Sequence, residues 1–178
     1  IVKEWAVEKV DTGTFYHAAL ESFSRKAQGD SKWPEVDRAG CDAMMDEATA
    51  PLIAQWRDKP FGDTARARAA SRGYLSVCRR AAWTLTRGMQ LSSFRTEKTE
   101  LRFGSGDGLP PLEIELEDGT KLMVTGTIDR VDTCRADGDA YFRIIDYKSG
   151  NAKVSASDIF AGLQLQLLIY LRAVLHAF

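Results

Sequence analysis

The sequence predicts an α/β fold: a central mixed β-sheet of four to five strands flanked by helices, with an added N-terminal helical region. Three observations predict it. Up to about residue 95 the apolar residues recur at helical spacing. From Thr96 to Lys148 they fall in short β runs broken by Asp-Gly turns, and from Ser157 onward the helical spacing returns.

A first helix is expected from an Asp11-Thr12 cap to about Gln28, since Tyr16, Leu20, Phe23 and Ala27 form one apolar stripe. "SKWPE" then offers a cap at Ser31 or Lys32-Trp33 and a proline suited to a first turn. A second helix is expected over Glu35 to Trp56, ended by the breaker cluster "RDKPFGD". A third, arginine-rich helix is expected from Thr64 toward Phe94, with Gly88 a candidate terminator. At about 100° per residue, Ala67, Ala70, Tyr74, Val77, Ala81, Leu85 and Met89 share one half. Arg66, Arg68, Arg72, Arg79, Arg80 and Arg87 share the other, and no acid lies between Thr64 and Thr96. A solvated surface is the plain reading of that face. Surfaces usually intersperse both signs, however, so a single-sign face would also suit a phosphate backbone, with Arg72 and Arg79 as candidate contacts. Trp5, Trp33, Trp56 and Trp83 read as packing residues, although Trp83 falls on the arginine half, where an indole can stack a base.

The strands are expected in "KTELRF", "LEIEL", "KLMVTGTI" and "AYFRIID", with hairpin turns at Asp118-Gly119 and at "ADGD", 136–139. The loop in "LRFGSGDGLPPLE" separates the first two. A final helix from Ser157 to Phe178, capped by Ser155 or Ser157, places Ile159, Leu163, Leu167, Tyr170, Leu171 and Val174 at helical spacing. At 178 residues the chain fits one domain, 1–178, with a helical part of about 11–95 and a sheet and last helix of about 96–178. It ends inside a helical pattern, as a piece of a larger protein would.

Apolar residues make up 44% and charged residues 28%, as in a soluble globular protein. No apolar run approaches 18 residues and no signal peptide is visible, so no membrane partner is expected. The three cysteines, 41, 78 and 134, are far apart and odd in number. They read as small buried or half-buried residues in a reducing, cytoplasmic setting. A net charge of −1 excludes a protein that coats nucleic acid by charge alone, though not a local basic face.

Chemistry concentrates in "RIIDYKSG", 143–150. In a strand Asp146 and Lys148 share one face and Tyr147 takes the other. If strands 121–133 and 140–148 pair through the 136–139 turn, Asp129 and Asp146 become neighbours. Two adjacent carboxylates repel unless a cation or a shared proton intervenes. Lys148 could neutralise one, and a divalent ion with hard oxygen ligands, Mg²⁺ or Mn²⁺, would satisfy both. Such an arrangement serves phosphodiester hydrolysis. Asp132 and Asp139 read as solvated strand ends, and Glu21 as an ordinary helix residue or a partner for His17.

Asp129 followed by Asp146-Tyr147-Lys148 resembles the PD-(D/E)XK nuclease signature. With "GTFYHAALESF", "ELRFG", "GTIDRVD", "IIDYKSG" and "LQLQLLIY" in order, the chain resembles nuclease domains of the RecB and AddB type over about residues 12–172. The resemblance implies a restriction-endonuclease-like core and a Mg²⁺-dependent deoxyribonuclease, an exonuclease module of a double-strand-break repair helicase–nuclease. Its partners would be single-stranded or unwound DNA ends and a helicase subunit. By the same resemblance Asp129, Asp146 and Lys148 are catalytic, while His17, Asp129, Asp146 and the carbonyl of Tyr147 hold the metal. Gln166 and Tyr170 support the site or contact DNA, and Glu100 matches an acidic position of unsettled role. The motif has Ile128 in place of proline before Asp129, and Asp146 in place of glutamate. An iron–sulfur cluster, carried by many such domains, is not expected here. A catalytically silent nuclease-fold DNA-binding module, a CRISPR-adaptation type of exonuclease, and a subunit docking an acidic protein are the alternative readings.

Overall fold

The computed structural model describes residues 9–30, 32–55, 65–104, 106, 108–148, 150 and 153–177. Trp5, the Ser31 cap, Trp56, the breaker cluster and the Thr64 helix start lie outside the described residues. The chain divides into two units, Ile1–Ser93 and Phe94–Phe178.

The first unit packs three helices, α1 (Lys9–Gly29), α2 (Arg38–Gln55) and α3 (Ala65–Gln90). Leu20, Phe23 and Ala27 of the predicted α1 stripe are buried, joined by Phe15 and Ala19, while Tyr16 is half-buried. The Asp11-Thr12 cap is corrected: α1 is already helical at Lys9, and a capping residue must have non-helical backbone. The start of α2 is corrected as well. Asp37 caps it, accepting from Gly40 N–H at 2.8 Å, while Pro34 stays in the preceding turn.

Helix α3 ends at Gln90 and passes through Gly88, where the Ser92 hydroxyl donates to the Gly88 carbonyl at 2.7 Å. Its most buried face is Cys78, Ala82, Thr86 and Met89, one position round from the predicted Val77, Ala81 and Leu85. On the flank of that face, Arg79 Nε and Nη2 donate to both oxygens of Asp46 on α2 at 2.7 and 2.6 Å. Cys41 and Cys78 are buried and Cys134 half-buried. Burial pushes the Cys78 thiol up to about 12.

The second unit has five strands, β1 (Arg95–Phe103), β2 (Leu112–Glu115), β3 (Lys121–Val124), β4 (Gly126–Ala136) and β5 (Asp139–Ile145). They divide into a three-stranded sheet, ordered β1-β4-β5, and a two-stranded β2-β3 hairpin, both antiparallel. The α/β class is as expected, and the single mixed sheet is corrected in arrangement. Hairpins and short loops join these strands, and a parallel pair would need a long crossover; the one parallel pairing described is the isolated bridge Phe103↔Leu109. The predicted run 121–133 breaks at Thr125, so Val124 pairs with Leu112 and Gly126 with Phe103. A Cβ on Gly126 would lie 2.8 Å from Phe103 Cζ, so only glycine lets β4 start there.

Both Asp-Gly turns form. Asp137 and Gly138 take φ of 54° and 89° between Ala136 and Asp139, the positive pair that suits the twist of a two-residue hairpin. The last helix does not run unbroken. Ser155 caps a short α4 (Ala156–Phe160), Gly162 at φ +75° ends it, and α5 (Gln166–Ala177) begins afresh. Tyr170 and Val174 of the predicted stripe, with Ala173, enter a core with Phe103, Leu112, Ile128 and Val131, while Leu163, Leu167 and Leu171 of that stripe stay exposed.

Candidate active site

Three carboxylates fall in one row across the three-stranded sheet. Thr99↔Arg130 and Leu101↔Ile128 place Glu100 opposite Asp129 on one side. On the other, continuing the register one step past Arg130↔Ile145 places Asp146 opposite Asp129. The Tyr147 N–H closes that step by donating to Asp129 Oδ2 at 2.6 Å. The row forms because β4 is central and lends one residue to both neighbours.

Asp129 is buried, at 7% exposure, and a Glu100 oxygen lies within 4.8 Å of one of its own. Glu100 holds φ +49°, a left-handed backbone that a long side chain seldom adopts. A bulge between Thr96 and Lys98 precedes it on the same strand.

Asp146 and Lys148 share a face as the alternation requires, with Lys148 Nζ 2.8 Å from Asp146 Oδ2. The side chain of Tyr147 is turned inward and buried. Gln166, the first residue of α5, ties the group together. Its Oε1 accepts from Lys148 Nζ at 3.1 Å, and its Nε2 donates to Asp146 Oδ1 at 3.3 Å and to Tyr170 OH at 2.8 Å. One turn of helix separates Gln166 from Tyr170, so a single side chain reads both the strand end and the helix. His17 lies on α1 in the first unit, half-buried, and Glu21 pairs with Arg25 at 2.6 Å.

Within the second unit the candidate donors are hard carboxylate oxygens. Mg²⁺ binds such oxygens at about 2.0–2.1 Å, so two ligands across one ion stand roughly 4 Å apart, within what Glu100 and Asp129 offer. Carboxylates this close favour a cation between them over mutual repulsion.

Two features escape a reading by sequence alone. Asp132, expected at a solvated end, is fully buried. It accepts from Arg130 Nε at 2.6 Å and from Arg143 Nη2 at 2.6 Å, and the Arg143 guanidinium covers the Phe94 ring at 4.7 Å. The i, i+2 spacing of Arg130 and Asp132 puts them on one strand face and was the available signal; Arg143 enters only through the hairpin register. Asp139 is exposed, as expected. Gln164 is the second feature. It accepts from Ser155 N–H at 3.0 Å and donates to the Lys153 carbonyl at 2.9 Å, tying residues 153–155 to the approach of α5.

Comparison with known proteins bears on the family. The family described as the PD-(D/E)XK nuclease superfamily matches residues 3–178. The chain is 36% identical to the AddB subunit of the ATP-dependent helicase/deoxyribonuclease of Ruminiclostridium cellulolyticum, over 97% of its own length and 15% of the relative's. The protein of the same name from Acetivibrio thermocellus is also 36% identical, over 96% and 15%. That from Alkaliphilus oremlandii is 33% identical, over 98% and 15%. The chain therefore spans about 15% of the length of these relatives.

Proposed function

The chain belongs to the PD-(D/E)XK nuclease superfamily, and we propose from that premise that it is a divalent-metal-dependent deoxyribonuclease. In this reading it acts in the cytoplasm as the nuclease module of a longer helicase–nuclease and hydrolyses phosphodiester bonds in single-stranded or unwound DNA. Relatives named as subunits of a helicase/deoxyribonuclease support the setting. The observation that carries the chemistry is the row Glu100, Asp129 and Asp146, with Lys148 beside it.

Each residue has a task that its contacts favour. Asp129 and Asp146 offer oxygens to the cation and the Tyr147 carbonyl adds a third in this reading, while His17 is assigned to the set by the family resemblance. The Tyr147 N–H fixes which Asp129 oxygen is engaged by taking Oδ2 at 2.6 Å. A divalent ion such as Mg²⁺ or Mn²⁺ held there would supply Lewis acidity toward a phosphoryl oxygen and lower the pKa of a water. The Lys148 ammonium, held by Asp146 at 2.8 Å and Gln166 at 3.1 Å, would offset negative charge building on the phosphoryl group. A compact, flexible ammonium suits the place better than a planar guanidinium. Gln166 orients Lys148, and Tyr170 orients Gln166. Contacts to sugar and phosphate carry no base information, so cleavage should ignore sequence.

The test is degradation of a linear single-stranded oligonucleotide. Cleavage is expected with Mg²⁺ or Mn²⁺, lost on chelation, and reduced on the order of 10²–10³-fold in Lys148→Ala. Retained DNA binding with no cleavage in any divalent cation would make the protein a silent binding module and overturn the reading.

A further inference from the structure

The arginine face of α3 is not uniform. Arg79 is spent on Asp46, but a different group is built around Trp83. The Arg38 guanidinium, from the start of α2, lies 5.7 Å from the Trp83 ring centroid, and that of Arg87 lies 5.9 Å from it. Each guanidinium is held a second time. Arg38 Nε donates to Asp42 Oδ1 at 2.9 Å, and Arg87 Nη1 donates to Gln90 Oε1 at 2.7 Å. Gln90 is itself anchored, donating to the carbonyls of Pro34 and Val36 at 2.6 and 3.0 Å. Arg80, exposed and three residues before Trp83, extends the same face.

This arrangement differs from a solvated charge run. An unrestrained arginine loses rotamer freedom when it grips a ligand. Here an indole and a side-chain acceptor have already removed much of it. A guanidinium lying against a ring keeps its edge N–H groups directed outward, the geometry that matches a phosphate fork. Helix α3 carries no carboxylate. On α2, Asp42 pairs with Arg38 and takes one of its donors, and Asp37 before it is occupied as the α2 cap.

We propose that Arg38, Trp83 and Arg87, with Arg80 beside them, form a sugar–phosphate binding platform for single-stranded DNA, distinct from the cleavage residues. Trp83 orders the two guanidinium groups, and those groups take the phosphates. The choice of DNA as ligand rests on the nuclease reading above. The platform itself rests on the first unit alone.

The experiment measures binding of a fluorescently labelled oligo-dT by anisotropy across a KCl series, in chelator so that nothing is cut. Two lost phosphate contacts on a single strand should make the slope of log K against log salt shallower by about 1.4. That change is expected in the Arg38→Ala/Arg87→Ala double variant, with affinity reduced several-fold at low salt. Trp83→Leu should weaken binding several-fold, and Trp83→Phe should restore most of it. If Trp83→Leu fails to fold, as read by its melting curve, the double arginine variant carries the test. An unchanged slope and affinity in that variant, while the unaltered protein binds DNA, overturns the platform and leaves the nuclease reading standing. Binding of a polyglutamate peptide as tight as that of DNA, and lost in the same variant, also overturns it, in favour of an acidic protein partner. No DNA binding by the unaltered protein defeats the wider reading as well.

Discussion

Asp129 and Asp132 stand three residues apart on β4, both buried, yet their surroundings oppose each other. Asp132 has a guanidinium on either side, and its charge is matched inside the protein. Asp129 has another carboxylate opposite it and an amide N–H on one oxygen. Asp132 is matched by two guanidinium groups, whereas Asp129 stands beside another carboxylate, a pair that the proposed cation would bridge. The lesson is that burial alone does not separate a structural acid from a functional one. The sign of the neighbours does.

That contrast breaks in measurable ways. The largest effect is expected for Asp129→Ala, where cleavage should fall on the order of 10³-fold. The melting temperature should fall less than in Asp132→Asn: the Tyr147 N–H loses its acceptor, but one of two adjacent carboxylates is gone. A collapse of stability in that variant would erase the distinction. Asp132→Asn should show the converse. Leaving the fully buried Arg130 against a neutral partner costs about 3–5 kcal/mol. In a chain of this size that lowers the melting temperature by roughly 6–20 °C. Arg143→Ala should cost less than Asp132→Asn, since 33% of the Arg143 side chain already faces solvent.

The smallest effect concerns the first unit. Burial holds the Cys78 thiol neutral up to about 12, above its ordinary 9.0. A raised folded value means its stabilising share is whole below pH 9 and fades as pH climbs toward 12. Cys78→Ala should therefore flatten the alkaline limb of a stability-against-pH curve and leave the neutral region's shape unchanged.

What the sequence made legible follows the range of the interactions. Asp118-Gly119 and Asp137-Gly138 announce their hairpins because a positive φ is a property of the turn residues themselves. The alternation that sets Asp146 and Lys148 on one face is equally local, and their 2.8 Å contact follows from it. The burial of Asp132 was hidden because Arg143, eleven residues on, reaches it only once β4 and β5 are in register. Glu100 needed the register of β1 on β4, which a bulge shifts by one. In the last helix the predicted continuity fails at Gly162, while Tyr170 and Val174 of the predicted stripe are buried and Leu167 and Leu171, on the flank of that face, are exposed. The pairing of Arg38 with Trp83 spans two helices, and no periodicity within either one encodes it.

The left-handed geometry at position 100 sets two demands against one another. Glycine would suit the main chain there but bring no acid, and aspartate would bring the acid while reaching one methylene less far. A β-branched residue would satisfy neither. The conformation costs about 1–3 kcal/mol, so the glutamate is a local burden that folding alone would discard, tolerated at the spot where an oxygen has to extend across to the neighbouring strand.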